Sequence, residues 1–352
     1  MLSNLPKDAV SIRILIASLV ISISSASALP LSPGDRVKVT IPEGEEFNGI
    51  YEINLNGEIE LPYLRGIIAT GLEPYQLQHR IQQDLVRQGY FQSSFLKVSV
   101  SIIQWAPVEV FVSGSVFLPG RVLINEWTDA ELTQTPVQQS GQSPFNRFLS
   151  VAIRQAGGLL PTADVKAVEV IRGQQKQILD LSGVFSGERF KDIPLIAGDL
   201  VRVPDTGSVS PLLVRPSHIT PVGVKIFISN LTVPASSNAT SAIGRDATSF
   251  PYGSRFSHAV VSGNCVGGAI HTNAYRRAVL VRTDATSGKT VSLDKGVEEL
   301  LRRSISNDTN PYLMPNDAVV CYDSAAINFR EIMRMIGDIV TPATLLFGPL
   351  RP

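Results

Sequence analysis

The sequence is poor in the residues that most catalytic and metal sites need. Its 352 residues include only four histidines and two cysteines, and aromatic residues make up 7%. It contains no Gly-x-Ser-x-Gly elbow and no His-Glu-x-x-His motif, which removes the common serine-hydrolase and zinc-peptidase signatures. We predict that the protein is not an enzyme and has no catalytic residue, no metal site and no cofactor.

The chain also lacks an excess of charge of either sign. Thirty-one basic residues balance thirty-one acidic ones, so no whole-molecule positive field exists to hold a nucleic acid. Hydrophobic residues at 44% and charged residues at 18% are typical of a folded chain. At roughly 150 residues per domain, the length predicts two or three domains.

The only long uncharged run near the N-terminus is too short for a membrane span. Lys7 and Arg13 precede an apolar, serine-rich run from Ile14 to Ala28, which ends in the small-residue pattern Ala26-Ser27-Ala28. A spanning helix needs about twenty apolar residues. The pattern therefore predicts a secretory signal peptide over residues 1–28.

Export changes how the two cysteines are interpreted. An oxidising compartment allows Cys265 and Cys321 to form a disulfide. Two unconnected, buried cysteines fit the sequence equally well, because spacing does not give the distance between their Cα atoms. The sequence leaves both possibilities open.

The region after the signal peptide predicts a small β-rich domain. The turn Pro33-Gly34-Asp35 leads into a strand with alternating Val37, Val39 and Ile41. Asn56-Gly57 predicts a hairpin between strands at 51–55 and 58–62. Gly71-Leu72 opens a helix, and a last strand covers residues 95–103. The helix has Pro74 in its first turn and an apolar stripe of Leu77, Ile81 and Leu85.

These elements resemble the N-terminal domain of the bacterial outer-membrane polysaccharide export family. The matching motifs are Leu31 to Asp35, Asn56 to Pro62 and Gly71-Leu72, in that order. One departure is a glycine that the family places three residues after the proline and that falls here four residues after it, at Gly66.

The rest of the chain repeats itself once. The first copy predicts strands at 108–112, 121–124, 167–172, 177–181 and 196–203, with a helix that begins at Arg147-Phe148. The matched pairs are Phe111 with Phe227, Arg147-Phe148 with Arg255-Phe256, Gly157-Gly158 with Gly267-Gly268, and Gly198-Asp199 with Asn316-Asp317. The four offsets, 116, 108, 110 and 118 residues, stay within about ten residues of one another, which indicates a duplication.

One helix with several strands in about a hundred residues is the β-grasp pattern. Both copies resemble the soluble-ligand-binding β-grasp (SLBB) module that follows the export domain in that family. We therefore predict a multidomain α+β protein. Its predicted parts are the signal peptide 1–28, the export domain 29–104, a first module 105–205, a linker 206–221, a second module 222–324 and a C-terminal tail 325–352.

The tail predicts an amphipathic helix. One arc, expected to face lipid or a protein partner, carries Phe329, Ile332, Met333, Ile336, Ile339 and Val340. The opposite arc, expected to face a water-filled lumen, carries Arg330, Glu331, Arg334 and Asp338. In the resembled family such C-terminal helices can form a ring across the outer membrane. Docking on a neighbouring domain fits the same pattern, and Pro342 and Pro349 interrupt the helix.

The leading hypothesis, which rests on the resemblance, is a structural conduit. Copies of the chain would form a homo-oligomeric ring through which a polysaccharide leaves the periplasm. The implied partners are like subunits, the outer membrane and an inner-membrane polysaccharide co-polymerase. Such a protein would be exported and held at the outer membrane with a large periplasmic portion. The alternatives are a periplasmic protein that binds a carbohydrate or small ligand, and a glycan hydrolase with a carboxylate pair.

Overall fold

The computed structural model describes residues 28–127, 146–232, 247–266, 276–283, 288–302 and 306–323. These residues form a multidomain α+β protein with three main sheets and a few short helices. The signal peptide predicted for 1–28 and the tail predicted for 325–352 lie outside the described residues, apart from Ala28.

The first unit, called the lead domain, covers residues 28–104. Its strands are β1 Arg36–Thr40, β2 Gly49–Glu52, β3 Glu58–Ile59, β4 Ile67–Ile68 and β5 Ser99–Gln104. The main sheet has the order β2-β1-β5 and is antiparallel. Val37, Val39 and Ile41 are fully buried, so the predicted alternation places one face of β1 in the core.

The helix of the lead domain, α1 Pro74–Arg87, is also where the sequence predicts it. Glu73 and Gln76 form a capping box, and Pro74 occupies the first turn, where its missing N–H costs nothing. Leu77, Ile81 and Leu85 are fully buried against the sheet. The apolar stripe therefore fixes how α1 packs.

The hairpin predicted at Asn56-Gly57 is wrong in its pairing. A turn is present, since the Gly57 N–H donates to the Asn54 carbonyl at 2.9 Å. However, β2 pairs with β1, whereas Ile59 of β3 pairs with Ile67 of β4. Burial explains the difference: Ile59 and Ile67 enter the core together, and that packing outweighs the local turn signal.

In the second unit, called the first module, the described residues form five strands and two helices. They are β6 Val108–Gly114, β7 Gly120–Ile124, α2 Leu149–Gln155, β8 Val168–Arg172, β9 Gln175–Leu179, α3 Gly183–Ser186 and β10 Leu200–Val203. The sheet has the order β7-β6-β10-β8-β9. Strands β6 and β10 are parallel, and the other neighbours are antiparallel. One face of the sheet and α2 enclose the core.

The third unit, called the second module, has the same topology. Its elements are β11 Gly223–Asn230, β12 Thr248–Pro251, α4 Phe256–Ser262, β13 Arg276–Thr283, β14 Thr290–Gly296, α5 Val297–Arg302 and β15 Ala318–Asp323. The strand order is β12-β11-β15-β13-β14, with β11 and β15 parallel. Phe111 faces Leu200 in the first sheet and Phe227 faces Ala318 in the second, at the predicted offsets of 116 and 118.

The sequence offset between the helices of the two modules is one residue smaller than predicted. The Leu149 N–H donates to the Ile193 carbonyl, and the Phe256 N–H donates to the Pro311 carbonyl, both at 2.9 Å. The offset at the helix is therefore 107 and not 108. Arg255 takes the place of Phe148, and Ser254 takes the place of Arg147.

The helix ends differ from the prediction as well. Gly157 follows α2 with φ +78°, and the equivalent residue after α4 is Asn264 with φ +53°. Asparagine is the non-glycine residue that most often adopts this conformation, so a search for a second glycine pair missed it. The predicted counterpart, Gly267-Gly268, lies outside the described residues.

The predicted linker, 206–221, is packed against its neighbours. Leu213 and Ile219 are fully buried in the core of the first module. The Leu159 N–H donates to the Ile219 carbonyl at 2.9 Å, and the Thr206 N–H donates to the Thr162 carbonyl at 2.8 Å. Val214 packs into the core of the second module. The segment therefore joins the two modules through both of their cores.

Candidate functional site

Each of the three units contains a buried aspartate in the same kind of turn. Asp35, Asp199 and Asp317 each follow a residue with positive φ and are at most 1% exposed. Each carboxylate accepts a hydrogen bond from the backbone N–H three residues earlier. The donors are Ser32 at 2.7 Å, Ile196 at 2.9 Å and Met314 at 2.8 Å. The turn Pro33-Gly34-Asp35 is thus the first of three related turns.

In the two modules the aspartate binds an arginine of its own sheet. Arg172 of β8 donates two hydrogen bonds to Asp199, at 2.7 and 3.0 Å. Arg282 of β13 donates two to Asp317, at 2.7 and 2.8 Å. These bidentate pairs fix the turn before the last strand to the middle of the sheet.

In the lead domain the arginine comes from the next unit. Arg147, just before α2 of the first module, donates to Asp35 from Nη2 at 2.5 Å and from Nη1 at 3.4 Å. Both side chains are completely buried. This contact spans 112 residues of sequence, and it joins the lead domain to the first module.

Further contacts complete the Arg147 cluster. Arg147 donates to the Ala106 carbonyl from Nε at 2.9 Å and from Nη2 at 2.6 Å, and its guanidinium lies 5.1 Å from the ring centre of Trp105. The Ala106 N–H in turn donates to Asp35 at 2.8 Å. The Asn125 amide donates to the carbonyls of Trp105 and Ala106, at 2.8 and 3.1 Å. Both charges are therefore satisfied by hydrogen bonds.

Burial dominates the electrostatics of the pair. Desolvation raises the pKa of the Asp35 carboxyl, opposed by the Arg147 charge and by the backbone N–H groups of Ala106 and Ser32. Desolvation lowers the pKa of Arg147, opposed by Asp35. Because neither side chain is accessible to solvent, the cluster stabilises a domain contact and offers no surface to a substrate.

Aromatic packing connects the two modules. The rings of Phe117 and Tyr252 meet edge to face with their centres 6.0 Å apart. A Cβ at Gly158 would lie 2.9 Å from the Pro221 ring, so the chain passes too closely there for any side chain. Burial raises the pKa of the Tyr252 hydroxyl, which holds it in its neutral form.

The cysteines are joined in the structure. A disulfide connects Cys265, after α4, to Cys321 of β15, with Cα atoms 5.9 Å apart. Both residues are fully buried. The bond ties the end of the helix to the central strand of the second module.

The first module leaves one sheet face open to solvent. Phe111 and Leu200, which face each other, are each 45% exposed, and Ile178 on β9 is 60% exposed. Leu123 on β7 lies on the same face. We call these four residues the open face. Exposed apolar groups on one sheet surface are typical of a contact with another protein.

The predicted site residues in the tail are not among those that the structure describes. They are Arg330, Glu331, Arg334 and Asp338 of the expected lumen face, and Phe329, Ile332, Met333, Ile336, Ile339 and Val340 of the expected lipid or partner face. Across the described part of the chain, no helix is both long enough and apolar enough to cross a bilayer. The same residues contain no group of three or more His, Cys, Asp or Glu side chains placed to hold a metal ion.

Comparison with known families agrees with the architecture of the lead domain. Residues 24–102 match the family described as polysaccharide biosynthesis/export protein. This match supports the export family, which is one of transport and not of catalysis. It covers the lead domain and neither module, so the SLBB identity of the modules stays a prediction. No curated protein matches the chain.

Sequence reasoning missed the Arg147 cluster. In the sequence, Arg147 marks the start of a predicted helix, and no motif connects it to Asp35. The repeated aspartate turns are a usable signal, because a buried, ionised aspartate is usually paired with a cation. Nothing in the spacing shows that the cation of the lead domain comes from the following module.

Proposed function

We propose that the chain is one subunit of an oligomeric conduit that exports capsular or extracellular polysaccharide through the outer membrane. The observation that carries this proposal is the match of residues 24–102 to the polysaccharide biosynthesis/export family. The conduit needs no chemistry from this chain, because moving a finished polymer requires only a path for it.

The contacts between units support a role as a structural element. The lead domain is held by the buried Arg147–Asp35 pair, and the modules are held by the packed segment 206–221. A wall made of subunits must keep its domains in fixed positions if neighbours are to meet along their length.

The open face of the first module fits a contact between subunits. Around its apolar residues lie two charged pairs, Arg121 with Glu109 and Lys176 with Glu169. An apolar centre with paired charges near it is the usual composition of a protein interface. We propose that a second copy of this chain covers this face in a homo-oligomeric ring.

The remaining parts of the proposal concern partners and placement. The chain would be exported by its signal peptide and would sit at the outer membrane with most of its mass in the periplasm. An inner-membrane polysaccharide co-polymerase would deliver the polymer. The balanced charge fits a wet lumen that attracts the polymer only weakly.

The test is the mass of the mature protein in mild detergent, measured by light scattering. We expect a closed multi-subunit ring, and we expect loss of surface polysaccharide in cells that lack the protein. A monomer with a saturable sugar site, in cells with normal surface polysaccharide, would overturn the conduit. That result would leave a periplasmic protein that binds a carbohydrate or small ligand.

A further inference from the structure

The second module buries the centre of its sheet on both faces. Its inner face packs on α4 and α5. On the outer face a second apolar cluster consists of Val279, Val281, Ala318, Val320 and Tyr322, each between 0 and 5% exposed. The other described members of this cluster are Phe227 and Leu231, which belong to β11 and its end. The outer face is therefore apolar and covered, although its described members all come from the sheet itself or its edge.

The first module, which has the same topology, does not bury the outer face of its sheet. The equivalents of Val279 and Val320, at offsets of 110 and 118, are Glu169 and Arg202, a partly exposed acid and an exposed base. The equivalent of Ala318 is Leu200, which is 45% exposed. Two charges in the first module have become buried valines in the second. Because these valines are 0 and 4% exposed, something other than solvent covers the surface, and their apolar side chains favour an apolar cover.

The sequence that follows β15 predicts a helix that could cover this face. Strand β15 ends at Asp323 in the centre of the sheet. After four intervening residues, Asn328, with Glu331 three positions after it, forms a capping-box pattern for a helix start. Pro342 marks the helix end. Four residues is an ordinary connection between a strand and a helix that packs on it.

The dimensions also agree. Residues 328–340 as a helix would be about 20 Å long at 1.5 Å per residue. The six residues of β15 extend over about 20 Å at 3.4 Å per residue. A helix that turns back after Asp323 could therefore cover β15 along its whole length. Its apolar arc, which includes Ile332 and Ile336, is as wide as a sheet-packing surface requires.

We propose that residues 328–340 dock as a helix on the outer face of the second module's sheet in the same subunit. The apolar arc of the tail then contacts Val279, Val281 and Val320, and the charged arc with Arg330 and Arg334 faces away from the sheet. The inference does not depend on the proposed export function, because it rests on the burial of this face and on the sequence that follows β15.

Photo-cross-linking of the full chain tests the proposal. A benzophenone amino acid replaces Phe227, which lies on the covered face, and in a matched variant it replaces Phe111, its equivalent on the open face. We expect position 227 to cross-link within one chain to residues 328–340, and position 111 not to reach them. Cross-links from position 227 only to residues 233–246 or 267–275, or only to the tail of another subunit, would overturn the proposal.

A second measurement covers the case in which the cross-linker disturbs folding. In the full chain, the double substitution Ile332→Asp and Ile336→Asp should uncover the sheet and increase the binding of a hydrophobic dye. The matched double substitution Glu331→Gln and Arg334→Gln, on the charged arc, should leave dye binding unchanged. Equal dye binding by both variants and by the wild type would overturn the proposal.

Discussion

Ser254 of the second module occupies the position that Arg147 occupies in the first. The Leu195 N–H donates to the carbonyl of Arg147 at 2.7 Å, and the Leu313 N–H donates to the carbonyl of Ser254 at 2.8 Å. The same backbone hydrogen bond is present in the two modules, but only the first carries a guanidinium at this point. Arg147 is thus an addition to the module that serves its contact with the lead domain.

We expect Arg147→Met to lower the free energy of unfolding by about 3–5 kcal/mol, because it leaves the buried Asp35 carboxylate without its cation. Urea unfolding measures the change. The control is Arg121→Met, whose pair with Glu109 is exposed and should contribute less than about 1 kcal/mol. If the two substitutions cost the same, the buried pair does not hold the domains together.

The double variant Asp35→Leu with Arg147→Met tests whether the stability loss comes from leaving one buried charge unpaired. Removing both charges leaves no unpaired ion, so the double variant should be more stable than Arg147→Met alone. A strictly additive loss would show that the two side chains act independently.

The disulfide should stabilise the second module substantially. Cys265 and Cys321 are separated by 56 residues, and closing a loop of that length contributes about 4 kcal/mol through the unfolded chain. Reductant should therefore lower the unfolding midpoint of the wild type. It should have no effect on the variant with both cysteines replaced by alanine. An equal response of the two proteins to reductant would argue against the bond.

Asp205 predicts a pH dependence at the start of segment 206–221. Its carboxylate accepts hydrogen bonds from the Gly207 N–H, from Thr162 Oγ1 at 2.8 Å and from Ser115 Oγ at 2.9 Å. These bonds lower its pKa below the ordinary value of 3.8. The folded state therefore favours the charged form, and this stabilisation is present above pH 3.8 and lost as the pH falls through the folded-state pKa.

The Asp205→Asn variant measures this contribution. The wild type should melt at a higher temperature than the variant near neutral pH, and the difference should shrink below pH 3.8. If the difference in melting temperature grows as the pH falls, the folded state does not favour the charged form of Asp205. Melting curves followed by circular dichroism at several pH values are sufficient.

The open face predicts a defect in assembly without a defect in folding. Phe111→Lys combined with Leu200→Lys places charges where a second copy of the chain is proposed to bind, so the oligomer mass from light scattering should fall. The control is Leu55→Lys, since Leu55 is 94% exposed and belongs to the lead domain and not to the first module. If the oligomer mass of the double variant is unchanged, the contact between subunits does not lie on the open face.

The sequence predicted periodic features well and long-range contacts poorly. Val37, Val39 and Ile41, and the stripe from Leu77 to Leu85, lie in the core because burial follows directly from their spacing. The pairing of Ile59 with Ile67 depended on the tertiary core, and a local turn signal could not reveal it. The Arg147–Asp35 contact spans two domains, so no window of sequence contains both partners.

Each module ends with the strand at the centre of its sheet. Without β10 the first module would consist of two separate hairpins, β6 with β7 and β8 with β9, and without β15 the second would be divided in the same way. A chain that is made or passed through a narrow channel from its N-terminus cannot close a module until that module's last residues emerge. The order of the strands thus delays folding until each module is complete. If the chain is exported as proposed, this delay keeps it unfolded enough to pass through the export channel.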